Sequence, residues 1–466
     1  MTRPEAPPPT LYGEQPDTAP PLAARRGRAP DLLAGPLRPA ILRLALPAVG
    51  TTLLQVLFNL VDLFWVGRTL GSTALAGVAV ASYTVWVLVS VGDLVGVGLT
   101  AIASRRHGEG RPDLAARATG TALGLAALLG VAAAAFGLFG LDLVFDIMQA
   151  PAELVPFARD FLVVQLLGAF LIYGYFAVAA SFRSAGDTRT PFVLLGVSVL
   201  LNLALDPAMI LGWGPLPEMG VFGAGLATVL TRGFGFVVGL WILRRRRAVQ
   251  RAFDWRVALT SVRIGTPTML TGVLFSVIYM LLVRVTEQFG PAALAALGVG
   301  HKIEGVSFMI TIGFALAAQT VVGQNLGAGQ PNRAREAGWL TARMATVPTI
   351  LLGLLFLIVP EQLAGIFTPD PAVIDAAALY LRAVAISQLF IAFESVLEGS
   401  LAGAGYTLWP AAAVVIFNVI RIPLATWAAA QYGLAGVWWT ISLTAIGRAL
   451  VLVAMWHWGR WERGRA

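Results

Sequence analysis

The segment LGLAALLGVAAAAFGLFGL, from Leu123 to Leu141, carries no charged side chain. About 20 residues of this kind are enough for a helix to cross the hydrocarbon core of a membrane. Lipid offers no partners to backbone N–H and C=O groups, so such a span has to be helical. The whole chain of 466 residues is 57% hydrophobic and only 12% charged, against about 25% charged in soluble domains. The sequence therefore predicts an all-α integral membrane protein.

The arginines are grouped in alternate loops between the apolar segments. The basic loops contain Arg105 and Arg106, Arg183 and Arg189, Arg244 to Arg247, Arg333 and Arg335, and Arg460 and Arg463. The loops between them carry acids or little charge. This positive-inside pattern predicts an even number of spans in the cell membrane, with both termini in the cytoplasm. The net charge of +8 therefore reflects topology, and no nucleic-acid partner is expected.

Breaks at charged or Gly/Pro-rich points divide the chain into twelve predicted spans. They cover residues 41–68, 74–103, 113–140, 152–182, 190–212, 221–245, 258–288, 292–322, 333–358, 372–402, 408–430 and 434–458. The segment 1–36 is rich in Pro, Ala and Arg and lacks the apolar core of a signal peptide, so it is expected to be a disordered cytoplasmic tail. The expected domains that follow are an N-lobe at 37–245, a linker at 246–257, a C-lobe at 258–459 and a cytoplasmic tail at 460–466.

The second half of the chain repeats the first. Gly71-Ser-Thr-Ala-Leu-Ala corresponds to Gly290-Pro-Ala-Ala-Leu-Ala, and Gly108-Glu-Gly-Arg-Pro-Asp corresponds to Gly327-Ala-Gly-Gln-Pro-Asn. Both pairs have the same separation along the chain, which we call the repeat offset. A repeat of six spans gives both copies the same orientation, related by an axis along the membrane normal. We therefore expect two six-helix lobes around a central cavity, which a rocking motion opens to one side of the membrane at a time. This architecture indicates a transporter.

Polar residues inside the first and fifth spans point to an ion. Gln55, Asn59 and Asp62 are spaced i, i+4 and i+7, and Asn202 and Asp206 are four residues apart, so each group shares a helix face. A carboxylate inside a membrane is costly and usually lines a cavity or pairs with another group. Two carboxylates with amides offer oxygen ligands to Na⁺, or they share a proton because adjacent carboxylates resist joint ionisation. The alternative is that these residues only join helices through hydrogen bonds.

Four motifs in order along the chain carry a family resemblance. They are Leu46-Pro47 with Phe58-Asn59, Asp62 and Trp65-Val-Gly67; Arg183-Ser-Ala-Gly186-Asp-Thr-Arg-Thr-Pro191; Asn202-Leu-Ala-Leu-Asp206-Pro207; and Val322-Gly323-Gln324-Asn325-Leu326-Gly327. With these motifs the chain after the tail resembles the MATE family, the multidrug and toxic compound extrusion transporters. The resemblance implies a secondary antiporter that exports amphipathic or cationic organic compounds in exchange for H⁺ or Na⁺ and needs no further cofactor.

Within the family, the chain is more similar to the DinF-type branch than to the NorM-type branch. That similarity implies a cation-coupling site in the N-lobe made of Asp62, Asn202, Asp206, Ala224 and Thr228. Gln55 and Asn59 then form a supporting polar face on the first span. If the ion is Na⁺, the resemblance implies that its ligands are Asp62, Asn202, Asp206 and Thr228.

The C-lobe departs from the NorM-type pattern, because Phe275 stands where NorM-type members carry an acid in the seventh span. The acids present are Glu304 in the eighth span and Glu394 and Glu398 in the tenth. They are either a site for cationic cargo or for a second proton, or they pair with the basic residues Arg382 or Lys302.

The N-lobe acids have no acidic copies in the C-lobe. At the repeat offset Asp206 corresponds to Ala425, and Asp62 corresponds to an apolar stretch around Leu281. We therefore expect cation coupling in the N-lobe alone.

Other classes of function fit the sequence less well. A flippase for lipid-linked or oligosaccharide cargo shares the duplicated architecture and is the main alternative. An integral-membrane enzyme would need a clustered set of His, Asp and Glu at one membrane face, and the sequence shows none, so an enzyme is not expected. The expected partners are small organic substrates and membrane lipids, and the protein is expected to be a monomer.

Overall fold

The computed structural model describes residues 31–463, and every regular element in this part of the chain is a helix. The helices are α1 (Leu37–Gly108), α2 (Pro112–Phe139), α3 (Leu141–Met148), α4 (Val155–Leu167), α5 (Ala169–Ser184), α6 (Arg189–Leu211), α7 (Gly220–Arg245), α8 (Trp255–Glu287), α9 (Pro291–Gly327), α10 (Pro331–Ile358), α11 (Pro360–Gly365), α12 (Pro371–Ala385), α13 (Ser387–Gly403) and α14 (Leu408–Trp458), with a 3₁₀-helix at Arg460–Arg463. The prediction of an all-α membrane protein is confirmed.

Two of these helices are each a pair of spans joined at a glycine. Within the described residues, eight helices are long and apolar enough to cross a membrane. A straight helix the length of α1, 72 residues, would extend about 108 Å, far beyond a hydrocarbon core of about 30 Å. Its backbone breaks at Gly71 (φ 84°, ψ −175°), and that of α14 breaks at Gly433 (φ 63°, ψ −151°). With α4–α5 and α12–α13 each forming one bent span, the described chain has the predicted twelve spans.

The spans follow the predicted order. The first and second are the two parts of α1, the third is α2, the fourth is α4 with α5, the fifth is α6 and the sixth is α7. In the second half, the seventh to ninth are α8 to α10, the tenth is α12 with α13, and the last two are the parts of α14. The short helices α3 and α11 lie in loops, and their first residues, Leu141 and Pro360, are separated by the repeat offset.

The fourth and tenth spans, predicted as single helices, are bent by 53° and 58°. The fourth bends at Gly168, where the sixth span comes so close that a Cβ atom would overlap with Val229. In the tenth, Ser387 Oγ and Gln388 Nε2 donate to the Val384 carbonyl at 2.8 and 3.2 Å. These side-chain bonds compete with the backbone ladder of the helix, so the bend has a local cause.

The duplication is visible in the backbone as matching turns. Four pairs of glycines with positive φ are related by the repeat offset: Gly71 and Gly290 (84° and 91°), Gly110 and Gly329 (71° and 71°), Gly186 and Gly405 (83° and 74°), and Gly214 and Gly433 (68° and 63°). This left-handed region strongly favours glycine, which has no Cβ. The two halves therefore reverse direction at equivalent places, and the repeated motifs are the turns that do it.

The second and eighth spans hold the two halves together through their backbones. Gly108 packs on the carbonyl of Gln324, and Gly327 packs on the carbonyl of Arg105, so a Cβ at either glycine would overlap with the facing main chain. The repeat offset relates Arg105 to Gln324 and Gly108 to Gly327, so the contact is symmetric. Beside it, Gln324 Nε2 donates to the Ser184 carbonyl at 2.7 Å. We call this symmetric contact the glycine seam.

Both ends of the described chain pack at the end of the bundle that carries the glycine seam. Asn325 Nδ2 donates to the Leu32 carbonyl at 3.2 Å. Trp461 is fully buried and stacks on Trp456 with ring centroids 3.9 Å apart. Within the expected tails 1–36 and 460–466, Leu32 and Trp461 are buried in one apolar cluster, whereas Asp31, residues 34–36 and Arg460 are exposed. Residues 1–30 and 464–466 lie outside the described part.

Valine in place of Gly108 or Gly327 is expected to keep the glycine seam from closing, because the added carbons would overlap with the facing carbonyl. The chain has no cysteine, so closure can be measured by cross-linking Glu109→Cys to Ala328→Cys with a bifunctional maleimide. We expect the cross-linked fraction to fall several-fold in both valine variants.

The matched control is Gly298→Val on the eighth span, since a Cβ at Gly298 meets no atom within 4 Å. It should cross-link like the parent. Parental cross-linking in both seam variants would show that the backbone contact does not control closure.

Candidate functional site

Asp62 lies inside the first span, nine residues before the break at Gly71, and is only 6% exposed. Its Oδ2 accepts a hydrogen bond from Thr228 Oγ1 of the sixth span at 2.8 Å. Ala224, one turn before Thr228 on the same span, is fully buried. The structure thus places Asp62 in direct contact with Thr228, one of the residues that the family resemblance adds to the cation site.

The fifth span adds the other two residues. Asn202 and Asp206 are fully buried, and Asn202 Nδ2 donates to Asp206 Oδ1 at 2.8 Å. The carboxyl groups of Asp206 and Asp62 lie close enough to act on each other electrostatically, and Asn202 also acts on Asp62. Two carboxyls, an amide and a hydroxyl from three different spans therefore meet at one point inside the N-lobe.

Three oxygens of this cluster are buried without a hydrogen-bond partner: Asp62 Oδ1, Asn202 Oδ1 and Asp206 Oδ2. An unpaired buried acceptor costs about 1–3 kcal/mol, and two adjacent carboxylates cannot both remain ionised without a positive charge nearby. A proton between the carboxyls would satisfy two of the oxygens. Na⁺ prefers oxygen ligands and could contact all three. The donor set therefore fits a small cation.

The supporting face proposed for the first span does not join the cluster. Asn59 is exposed and Gln55 is half-buried, and none of the hydrogen bonds in the described part links either of them to Asp62. The helix turns Phe58 and Asp62, four residues apart, toward the inside of the N-lobe, where Phe58 is fully buried. Asn59 is rotated about 100° from Phe58, and its side chain therefore lies outside the packed core.

The sequence analysis missed Arg232, which lies one turn after Thr228 on the sixth span. It is 5% exposed, its guanidinium lies 4.8 Å from the centroid of the Phe58 ring, and its charge acts on Asp62 and on Tyr175. Its Nη1 is buried without a partner. The signal for it in the sequence is an arginine inside an apolar span, four residues from Thr228, because a charge at that depth needs a partner.

In the C-lobe, Glu394 forms a buried ion pair that the sequence did not predict. Its Oε1 lies 3.0 Å from Arg448 Nε, and Arg448 Nη1 donates to Asn418 Oδ1 at 2.7 Å. The expected alternatives, Arg382 and Lys302, are not its partners. Arg382 pairs with Glu361 on the surface, and Lys302 is exposed. The two expected partners were wrong because Arg448 is contributed by the twelfth span, far along the chain.

The other two C-lobe acids have different surroundings. Glu304 is half-buried and accepts a hydrogen bond from Tyr380 at 2.5 Å. Glu398, one turn after Glu394, is half-buried and forms no hydrogen bond with the described residues. Phe275, at the position of the NorM-type acid, packs against Tyr279 with ring centroids 4.8 Å apart and ring planes tilted by 41°. An aromatic contact therefore occupies the place where the other branch has a carboxylate.

Arg421 reveals a further difference between the halves. The repeat offset relates it to Asn202. It is 2% exposed, and its Nε donates to Thr444 Oγ1 at 2.8 Å. A fixed positive charge thus replaces the amide of the N-lobe cluster. The equivalent point in the C-lobe carries its own cation, whereas the N-lobe cluster has oxygens free to receive one.

Comparison with known proteins matches this picture. The MatE family model matches the chain in two blocks, residues 47–208 and 267–427. A probable multidrug resistance protein NorM of Thermotoga maritima is 30% identical over 442 residues, which cover 92% of this chain and 94% of the relative. An FAD transporter of Shewanella oneidensis is 27% identical over 360 residues, covering 75% of this chain and 78% of the relative.

A solved structure shares the fold. The crystal structure of MATE in the straight conformation aligns with a TM-score of 0.84 at 24% identity, covering 92% of this chain and 96% of that chain. The similarity to the DinF-type branch stays a prediction. The two family blocks coincide with the two repeats, and together they span well over half of the chain. The protein is therefore a member of the MATE family of multidrug efflux transporters.

Proposed function

We propose that this protein exports small organic compounds across the cell membrane in exchange for a cation, H⁺ or Na⁺, that moves inward. The observation that carries the proposal is the buried pair Asp62 and Asp206, with three oxygens that lack partners. Structural polar residues normally satisfy one another. A pair of carboxyls that keeps unpaired oxygens is suited to bind an ion reversibly.

The exchange follows from the placement of the two carboxyls on separate spans. A cation between them neutralises the pair and draws the first span toward the fifth. When the cation leaves, two negative charges face each other in a medium of low dielectric constant and repel. Pro47, inside the first span, removes one backbone hydrogen bond and gives this helix a point at which to bend. Occupancy of the site is thereby coupled to the shape of the N-lobe and to its affinity for cargo.

Export of organic compounds is favoured over lipid-linked or oligosaccharide cargo. A relative of this chain is named as a probable multidrug resistance protein, and another as an FAD transporter, so the cargo class includes small molecules of varied charge. The half-buried acids Glu304 and Glu398 would attract amphipathic cations. We propose no cofactor beyond the coupling ion.

The orientation in the membrane is proposed from charge. The described ends of the chain share one end of the bundle with the glycine seam and with basic residues of the loops, such as Arg105 and Arg333. Under the positive-inside rule this end faces the cytoplasm. Trp241 and Trp255, both exposed beside the arginines that follow the sixth span, suit contact with lipid head groups. We propose a monomer as the transporting unit.

Asp62→Asn is expected to abolish coupled efflux, because an amide can neither take up a proton nor supply a negative charge to Na⁺. Dye efflux from proteoliposomes, driven separately by a pH gradient and by a Na⁺ gradient, measures this directly. Asp146→Asn, at an exposed acid in α3, is the control and should transport normally. Efflux at the parental rate in the Asp62→Asn protein would contradict the N-lobe site.

Glu394→Gln is expected to destabilise the fold by about 3–5 kcal/mol, because it leaves the buried guanidinium of Arg448 without its counter-charge. Thermal unfolding in detergent, followed by the fluorescence of the 13 tryptophans, measures the loss. Glu361→Gln breaks the exposed pair with Arg382 and should cost about 0–1 kcal/mol. Equal melting temperatures in the two variants would rule out a structural ion pair and favour a binding role for Glu394.

A further inference from the structure

The buried charge nearest to the N-lobe acids is fixed. Arg232 is 5% exposed, and its guanidinium lies over Phe58, one turn along the first span from Asp62. It also stands one turn along the sixth span from Thr228, whose hydroxyl bonds Asp62. A guanidinium is protonated at every physiological pH. The acid pair therefore always has this positive charge about one helical turn away.

The surroundings of Arg232 give it no other strong partner. No ion pair or hydrogen bond joins it to a residue of the described chain, and its Nη1 is buried without a partner. Its charge acts on Asp62 and on the phenol of Tyr175, while Asp206 lies beyond Asp62. The next charges along this side, Arg183 and Asp93, act on each other. The net charge available to an incoming ion is therefore close to −1, and not the −2 of the isolated acid pair.

We propose that Arg232 is a specificity-determining residue that excludes Na⁺ from the N-lobe site, leaving H⁺ as the ion available for exchange. This inference rests on the proposed function and deepens it.

The exclusion follows from what each ion needs. To hold Na⁺, both carboxylates must be ionised and must turn their free oxygens to the metal. The bound Na⁺ is then close enough to the guanidinium of Arg232 to be repelled by it. Two like charges separated by about one helical turn in a partly buried site change an affinity by roughly ten- to a hundredfold. A proton requires only one O–H···O bond between Asp62 and Asp206. The guanidinium repels a proton as well as Na⁺. A proton, however, forms a covalent O–H bond with one carboxyl and a hydrogen bond with the other, so the same repulsion removes the more weakly held Na⁺ and leaves the proton.

The test is Na⁺ binding to the purified protein, measured by isothermal titration calorimetry at constant ionic strength with choline as the replacement cation. The parent and Arg232→Lys, which keeps the charge, should show no saturable binding up to ~100 mM Na⁺. Arg232→Gln should bind Na⁺ at least about tenfold more tightly. The added binding should disappear in the double variant with Asp62→Asn, which places it at the N-lobe site.

Controls separate a folding defect from a change in specificity. Arg244→Gln, at an exposed position near the end of the same helix, should behave like the parent. Each variant is compared for elution as a single species and for its melting temperature. If Arg232→Gln does not fold, Arg232→Met and Arg232→Leu carry the same test, since each removes the charge and retains apolar packing on Phe58.

Three results would overturn the inference: saturable Na⁺ binding at millimolar concentration by the parent, no gain in a folded charge-removing variant, or a gain that survives in the double variant. These measurements do not depend on transport. If Asp62→Asn left efflux intact, the proposed function would fail while the Na⁺ result stood. If Na⁺ bound to the parent, the exclusion would fail and coupled exchange through Asp62 would remain.

Discussion

The membrane interior does not tolerate an uncompensated charge, and the internal organisation of this protein depends on how each buried charge is compensated. Glu394 is balanced by Arg448 through a direct ion pair, and Arg421 is held among acids and hydroxyls of the same lobe. In the N-lobe, Asp62 and Asp206 have one guanidinium nearby and each other. In that cluster compensation is incomplete, and an exchangeable ion can complete it.

The two halves of the duplication share one backbone architecture but carry different buried charges. Both halves turn at glycines in equivalent positions and carry a bent fourth helix, counted within each half. Inside that frame Asn202 of one half corresponds to Arg421 of the other. Together with the loss of both acids, which correspond to Leu281 and Ala425, this difference changes a site that can receive a cation into a site that contains one. The two lobes therefore share a fold but differ in buried charge. The charge of the N-lobe cluster changes when a cation binds, while the charge of Arg421 in the C-lobe stays fixed.

Much of the fold could be predicted from the sequence, because a membrane span is a local property of about 20 residues. The twelve spans and the turning glycines follow from hydropathy and from the repeat. The bend of the fourth span could not be predicted, since the bend at Gly168 depends on the close approach of Val229, a residue of another helix. The bend of the tenth span has a local cause in Ser387 and Gln388, but helix-period hydropathy does not register it. The packing of Leu32 and Trp461 likewise depends on an apolar surface made by several distant segments.

The candidate site was predicted in part for the same reason. Spacing alone placed Asn202 beside Asp206, and the family resemblance added Thr228 to Asp62. The position of Asn59 could not be predicted from spacing, because spacing does not say which side of the helix faces the core. The side that carries Phe58 and Asp62 is buried, and Asn59 is exposed. Arg232 and Arg448 were missed because the acids near them lie on other spans. The position of an arginine within its own helix does not predict which side chain of another helix will lie beside it.

The glycine seam has a thermodynamic consequence. Where Gly108 and Gly327 face the carbonyls of Gln324 and Arg105, the meeting surfaces are main chain, which has no rotamers to lose. Closing a surface lined by long side chains would immobilise each of them, at a cost of up to about 2 kcal/mol apiece. This closure carries almost none of that entropic penalty. A bound ion that favours closure therefore has little side-chain entropy to overcome at this contact.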